Sequence, residues 1–239
     1  MKLSAPLFQL KRRAKLTARR EGTALHLALD AIAREEGFAS WSLLSSRLAK
    51  AESSPEIILQ DLEDGDLILL AARRGHGKTM LALRLLVEAA KSGRRSIFYT
   101  LEYTERQALW QIERLGHARG LKPDAIEIVT SEAISAGYIL DHLGDGQPGA
   151  IAVVDYLQIL DQQRSKPPLR DQMEKLQAYA AKSGMIFVFI SQLDRAFDGD
   201  GKTLPELADI RLPNQIDLNL FSKACFLHDG MAALRHLAA

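Results

Sequence analysis

The chain has 239 residues, 47% of them hydrophobic, with 31 Lys/Arg against 30 Asp/Glu and a formal charge of +1. That is enough apolar material for a full core, and slightly more length than one α/β unit needs. No apolar run reaches the roughly 18 residues of a membrane span, the N-terminus continues into a basic stretch unlike a secretory signal, and the single Cys225 cannot close an internal disulfide, so a cytoplasmic protein is expected.

The near-neutral total hides an asymmetry. Residues 1–50 hold ten Lys/Arg and four Asp/Glu, which leaves 21 against 26 for the rest, so a net +6 segment precedes a net −5 body. In the basic segment Leu7, Leu10, Ala14 and Leu16 alternate with Lys11, Arg12, Arg13, Lys15, Arg19 and Arg20 in a helical rhythm. Thr23 is expected to cap a second helix carrying Leu25, Leu27, Leu29, Ile32 and Ala33, which Gly37 stops. A third helical segment begins at Ser40. The six basic residues between positions 11 and 20 suit nucleic-acid phosphates, or a solvated face covering acidic surface of the same protein; the lack of interleaved aromatics favours the second. The run Glu52-Ser53-Ser54-Pro55 reads as a boundary. The expected organisation is a small all-helical segment at 1–50, a linker at 51–56 and a larger domain at 57–239.

From residue 57 apolar strands alternate with amphipathic helices. Strands are expected at 67–71, 96–100, 126–129, 151–154, 185–190 and 224–227, with helices at 79–92, 104–119, 131–143 and 170–182. Buried β-branched strands separated by helices imply a mostly parallel sheet covered on both faces. Cys225 lies in the last of these strands, as a buried structural thiol.

The first strand pours into Ala72-Arg73-Arg74-Gly75-His76-Gly77-Lys78-Thr79 and then directly into a helix. That order builds a phosphate-binding loop. Backbone N–H groups and the helix N-terminus face a β-phosphate, Lys78 reaches the β- and γ-phosphates, and the Thr79 hydroxyl ligates Mg²⁺. Three further strand ends carry polar groups where ligands of parallel sheets bind. Asp155 closes the strand from Ile151 and is placed to hold Mg²⁺. Glu102, after the strand from Ser96, is placed to orient and deprotonate an attacking water. Gln192, after Phe189-Ile190-Ser191, is placed to hydrogen-bond a γ-phosphate.

Together these motifs resemble the motor domain of DnaB-type replicative helicases. The resemblance rests on Ala72–Thr79, Leu101-Glu102, Val153-Val154-Asp155-Tyr156-Leu157-Gln158, Ser191-Gln192-Leu193-Asp194-Arg195 and Asp209-Ile210-Arg211 with Gln215-Ile216-Asp217, in order over about residues 57–228. Ala at position 72, where the strict phosphate-loop pattern asks for Gly, is common in that family. The resemblance implies a RecA-like P-loop ATPase fold, ATP hydrolysis with Mg²⁺ and Glu102 as base, and a homo-oligomer, a hexameric ring, around single-stranded DNA in DNA replication. KaiC-type ATPases are the next nearest relatives, and an ATP-switched, partner-binding ATPase without helicase activity is the alternative expectation.

Two features depart from the family pattern. Family helicases take an arginine finger from strands after the one matching residues 224–227, where this sequence offers Arg235; Arg195 and Arg211 are the other candidates. For DNA contact, Arg164, Lys166 and Arg170 lie in a Pro-containing loop after Asp155. Arg195 follows Gln192 in a second loop, where two aspartates offset its basic residues.

Overall fold

A computed structural model of the chain describes residues 4–5, 7–45, 54–115, 120–122, 124–163, 166–193, 210–211, 217–228 and 231–237. The chain divides into two compact units, Met1–Glu52 and Ser53–Ala239.

The first unit is a helical hairpin of α1 (Leu7–Glu21) and α2 (Leu25–Glu35), followed by a helical turn at 41–45. Leu10, Ala14 and Ala18 recur at four-residue spacing, so they share one face of α1 and bury against Ala28 and Ile32 of α2. A second small cluster joins Ala33, Phe38 and Leu44, and the Trp41 N–H donates to Asp30 Oδ1 at 2.8 Å. Thr23 does not cap α2. Its N–H is spent on Ala18 O at 3.1 Å, closing the end of α1, and α2 starts from Ala24 with no side-chain cap. Ser40 does act as a cap: its Oγ accepts from the Leu43 N–H.

The second unit opens with α3 (Pro55–Gln60), capped by Ser54 Oγ accepting from the Ile57 N–H. It then builds an eight-stranded sheet. The strands are β1 (Leu67–Ala72), β2 (Ser96–Thr100), β3 (Ile126–Val129), β4 (Ile151–Asp155), β5 (Ile186–Leu193), β6 (Ile210–Arg211), β7 (Lys223–His228) and β8 (Met231–His236). The order across the sheet is β3-β2-β4-β5-β1-β7-β8. Every pairing from β3 to β7 is parallel, while β8 runs antiparallel to β7 and β6 runs antiparallel to the end of β5. Between the strands lie α4 (Lys78–Lys91), α5 (Glu105–Arg114), α6 (Ala136–Leu143) and α7 (Leu169–Ser183).

The sheet is covered on both faces because its central strands are apolar on both sides: all six residues of β1 are buried. One face packs Leu69, Phe187, Phe189 and Phe226 under α6 and α7, and the other packs Ile68, Leu70, Val188 and Cys225 under α3, α4 and α5. Burial pushes the Cys225 thiol up to about 12, so it is inert packing. Three expected boundaries move. The helix expected from 131 starts at Ala136, where Ser135 Oγ accepts from the Tyr138 N–H. The helix expected over 104–119 is capped by a reciprocal Thr104–Gln107 pair and ends at Arg114; residues 116–119 lie outside the described set. The strand expected over 185–190 runs on to Leu193, so Gln192 stands inside β5 rather than beyond it.

One buried ion pair fastens the edge of the sheet opposite the strand ends that carry the motifs. Lys223, 1% exposed, opens β7 and donates to Asp66 Oδ2 and to Asp61 O, both at 2.6 Å. Asp66 also accepts from the Ser222 hydroxyl at 2.6 Å and from the Glu63 N–H at 2.7 Å. Burial pushes the Asp66 carboxyl up, but the Lys223, Ser222 and Glu63 hydrogen bonds outweigh it and leave the group below its ordinary value. Replacing Lys223 by Met strands that carboxylate in the interior. The expected loss is about 3–5 kcal/mol in urea unfolding at neutral pH. The double variant Lys223→Met/Asp66→Asn is expected to recover part of it, because no unpaired charge remains.

Candidate nucleotide site

The site assembles where β1, β2, β4 and β5 end. Beyond the buried Ala72, the loop passes Arg73 and Arg74 and turns at Gly75 and Gly77, both at φ +83°, a region that L side chains avoid. The turn is pinned by the His76 N–H on Arg73 O at 3.2 Å, and α4 then starts from Gly77 with no side-chain cap. Its first N–H groups therefore remain available to an anion, with the positive end of the helix dipole behind them.

Lys78 and Thr79 sit on the first turn of α4. Together with Arg74, Gly75, Gly77 and Met80 they line a cleft of about 510 Å³ whose other wall is Glu102, Tyr103, Tyr156 and Gln192. Glu102 is exposed in that cleft, and its N–H donates to the buried Thr100 hydroxyl at 3.1 Å, which fixes the turn after β2. Gln192 reaches the cleft from β5, between β1 on one side and β6 on the other.

Asp155 closes β4 and is fully buried, and neither carboxylate oxygen has a hydrogen-bond partner. Burial pushes its pKa up to about 7, and the Glu102 charge adds to that. The Thr79 hydroxyl and the Lys78 ammonium favour the charged form, although the hydroxyl stops short of hydrogen-bond geometry. An orphaned carboxylate beside a lysine and a threonine hydroxyl fits a divalent cation. Among the described residues no three His, Cys, Asp or Glu side chains converge, so they offer no complete metal cage. One carboxylate plus a hydroxyl, with the remaining ligands from phosphate and water, is how Mg²⁺ is held beside nucleotides.

The structure thus brings Lys78, Thr79, Glu102, Asp155 and Gln192 together, with Arg74, Gly75 and Gly77 lining the cleft; Ala72, Arg73 and His76 belong to the loop without lining it. Two cleft residues were not anticipated, Tyr103 and Tyr156. Each directly follows an acidic strand end, and that adjacency was the available signal. The Tyr103 hydroxyl is held above its ordinary pKa by burial and then by the Asp155 and Glu102 charges. Tyr156 OH accepts from Gln162 Nε2 at 2.9 Å, tying the cleft to the segment after β4.

The expected DNA contacts do not gather there. Lys166 donates to Ile134 O at 2.7 Å and Ile159 O at 2.8 Å, and burial lowers its pKa, so it clamps its own loop. The buried Gln172 completes that clamp, donating to Leu160 O and Pro167 O and accepting from the Ala136 N–H. Arg170 is exposed and pairs with Glu174 at 2.8 Å. Arg164 and Arg195 lie outside the described residues. Of the other arginine candidates, Arg235 is exposed on β8 with its guanidinium 5.7 Å from the Phe226 ring, and the backbone of Arg211 pairs with Gln192.

A mostly parallel sheet with a phosphate loop after its central strand, acidic groups at neighbouring strand ends and helices on both faces is the RecA-like P-loop ATPase fold. Among solved structures with this fold, one helicase-type ATPase domain matches at TM-score 0.58 and 18% identity, over 77% of this chain and 81% of its own. A DnaB-like replicative helicase, described with its interactions with primase, matches at TM-score 0.58 and 16% identity over 91% of this chain but 64% of its own. A KaiC-like protein from the archaeon Pyrococcus horikoshii matches at TM-score 0.50 and 18% identity, over 74% and 83% of the two chains. The likeness to DnaB-type motor domains expected from the motifs is therefore present in the fold. No family model matches the chain, and neither does any curated protein sequence.

Proposed function

We propose that the chain binds and hydrolyses ATP with Mg²⁺, as a DnaB-type motor domain working on single-stranded DNA in a homo-oligomeric ring in the cytoplasm. The observation that carries the ATPase reading is the buried, unpartnered Asp155 carboxylate beside Lys78 and Thr79. The loop N–H groups and Lys78 hold the β- and γ-phosphates, and Thr79 and Asp155 hold the cation, which neutralises charge on the phosphates. Glu102, at the open wall of the cleft, orients the attacking water and takes its proton. Gln192 bonds the γ-phosphate, and β5 carries its loss toward β6 and the segment beyond. Arg235, exposed on the strand after β7, and Arg211, beside Gln192, are the finger candidates for a neighbouring or the same active site.

A second reading has its own support. Lys166 and Arg170 are engaged within the chain, which leaves fewer free cations after β4 for a DNA strand. That favours a nucleotide-controlled, KaiC-like switch that docks partners without unwinding. Steady-state ATPase activity over a protein-concentration series, with and without single-stranded DNA at two salt concentrations, separates the two. Turnover that rises cooperatively with protein and with DNA is the motor result. Slow turnover indifferent to both overturns the motor and leaves the switch.

A further inference from the structure

The cations of α1 fall into two groups. Arg13 is ion-paired with Glu35 of α2, and Arg20 with Glu21 at 3.0 Å. Lys11, Arg12, Lys15 and Arg19 are all exposed and form no ion pair among the described residues. At 3.6 residues per turn these four share a sector of about 100° and a stripe about 12 Å long, with Lys11, Lys15 and Arg19 spaced one turn apart, about 6 Å. Between Lys11 and Arg19 that sector holds cations only. The buried Leu10, Ala14 and Ala18 lie on one flank of it, and the exposed Leu16 on the other.

We propose that this stripe is a nucleic-acid phosphate clamp, separate from the ATPase cleft and working without nucleotide. A regular row of unpaired positive charge matches a regular row of phosphates, and each contact is driven by counterion release. An acidic protein surface fits less well. Protein interfaces centre on buried apolar or aromatic anchors and are depleted in lysine, whereas the only exposed apolar side chain beside this row, Leu16, stands at its margin. With no base-reading groups in the row, binding is to backbone and indifferent to sequence. The proposal does not depend on the ATPase reading, because it is measured with no nucleotide present.

The test is fluorescence anisotropy of the full chain with labelled single- and double-stranded oligonucleotides of two unrelated sequences, from 50 to 200 mM salt. Four phosphate contacts on duplex contribute about −3.6 to the slope of log K against log salt. The variant Lys11→Gln/Arg12→Gln/Lys15→Gln/Arg19→Gln is expected to lose most of that slope and at least tenfold in affinity at 50 mM, equally for both sequences. Arg13→Gln/Arg20→Gln is expected to bind as the parent does. Far-UV circular dichroism shows whether α1 survives, and the slope of the unmutated chain is a second readout that no folding defect affects. A parent slope near zero, or a folded quadruple variant with parent slope and affinity, overturns the proposal. So does loss of self-association in the quadruple variant with nucleic-acid affinity intact, which assigns the stripe to acidic surface of a second copy.

Discussion

Glu102→Gln is expected to leave ATP bound and to slow turnover by about 10²–10⁴-fold, the usual worth of a positioned general base. The substitution keeps the shape of the side chain and removes only its capacity to take a proton. Glu102 is exposed in the cleft, and its hydrogen bond to Thr100 runs from its backbone N–H, which Gln preserves. The Gln side chain also removes a negative charge that now pushes the Asp155 carboxyl upward, so cation affinity is expected to hold or rise. Equilibrium binding of a fluorescent ATP analogue and single-turnover hydrolysis separate the two effects. Loss of binding would make Glu102 a structural residue of the β2 turn, and turnover within threefold of the parent would move the base elsewhere.

The parallel sheet and its motif-bearing ends were legible because two signals coincide there. Apolar runs such as residues 67–71 and 151–154 read as doubly covered strands, and the polar residue ending each run stands at the carboxyl edge. The strands that were missed lack those signals. β8 is Met-Ala-Ala-Leu-Arg-His, with no β-branched residue, and it is held by pairing along all of β7 rather than by its own propensity. β6 is two residues against the end of β5, too short to leave a pattern.

Single side chains were less legible than strands. Lys166 and Arg170 read in sequence as free cations beside prolines, but Lys166 faces two carbonyls of its own loop, and Arg170 lies four residues from Glu174 on α7. The one-turn spacing of that acidic partner is visible in the sequence; the two carbonyls are not, because backbone acceptors leave no residue signature. Thr23 shows the same limit: its type suits a cap, yet its amide was already committed to the end of the preceding helix. For the same reason the Asp155 position was readable as a strand end, whereas its complete burial without a partner was not.

That burial makes Asp155→Asn a test in which stability and activity move in opposite directions. A carboxyl with its pKa raised to about 7 keeps its proton in the folded chain at pH values where the unfolded chain has lost it. Its contribution to stability is therefore neutral below about pH 4, declines as the pH rises toward 7, and stays unfavourable above that, by up to about 4 kcal/mol without a cation. Asn carries no charge, but its amide must be buried at a site with no ready partner, which costs about 1–3 kcal/mol. The net gain expected for the Asn variant at pH 8 in EDTA is of the order of 1–3 kcal/mol, or roughly 3–8 °C in melting temperature. Comparing variant with parent at each pH cancels groups such as Asp66 and Glu127, whose lowered pKa values make stability rise with pH. Added Mg²⁺ and ADP should then close the gap from the parent's side alone, and ATP turnover by the variant should fall at least 10²-fold for want of its cation anchor. A melting difference that is flat from pH 4 to pH 8 would mean that Asp155 finds a partner in solution. The charge held in reserve for a cation would then lie elsewhere in the cleft.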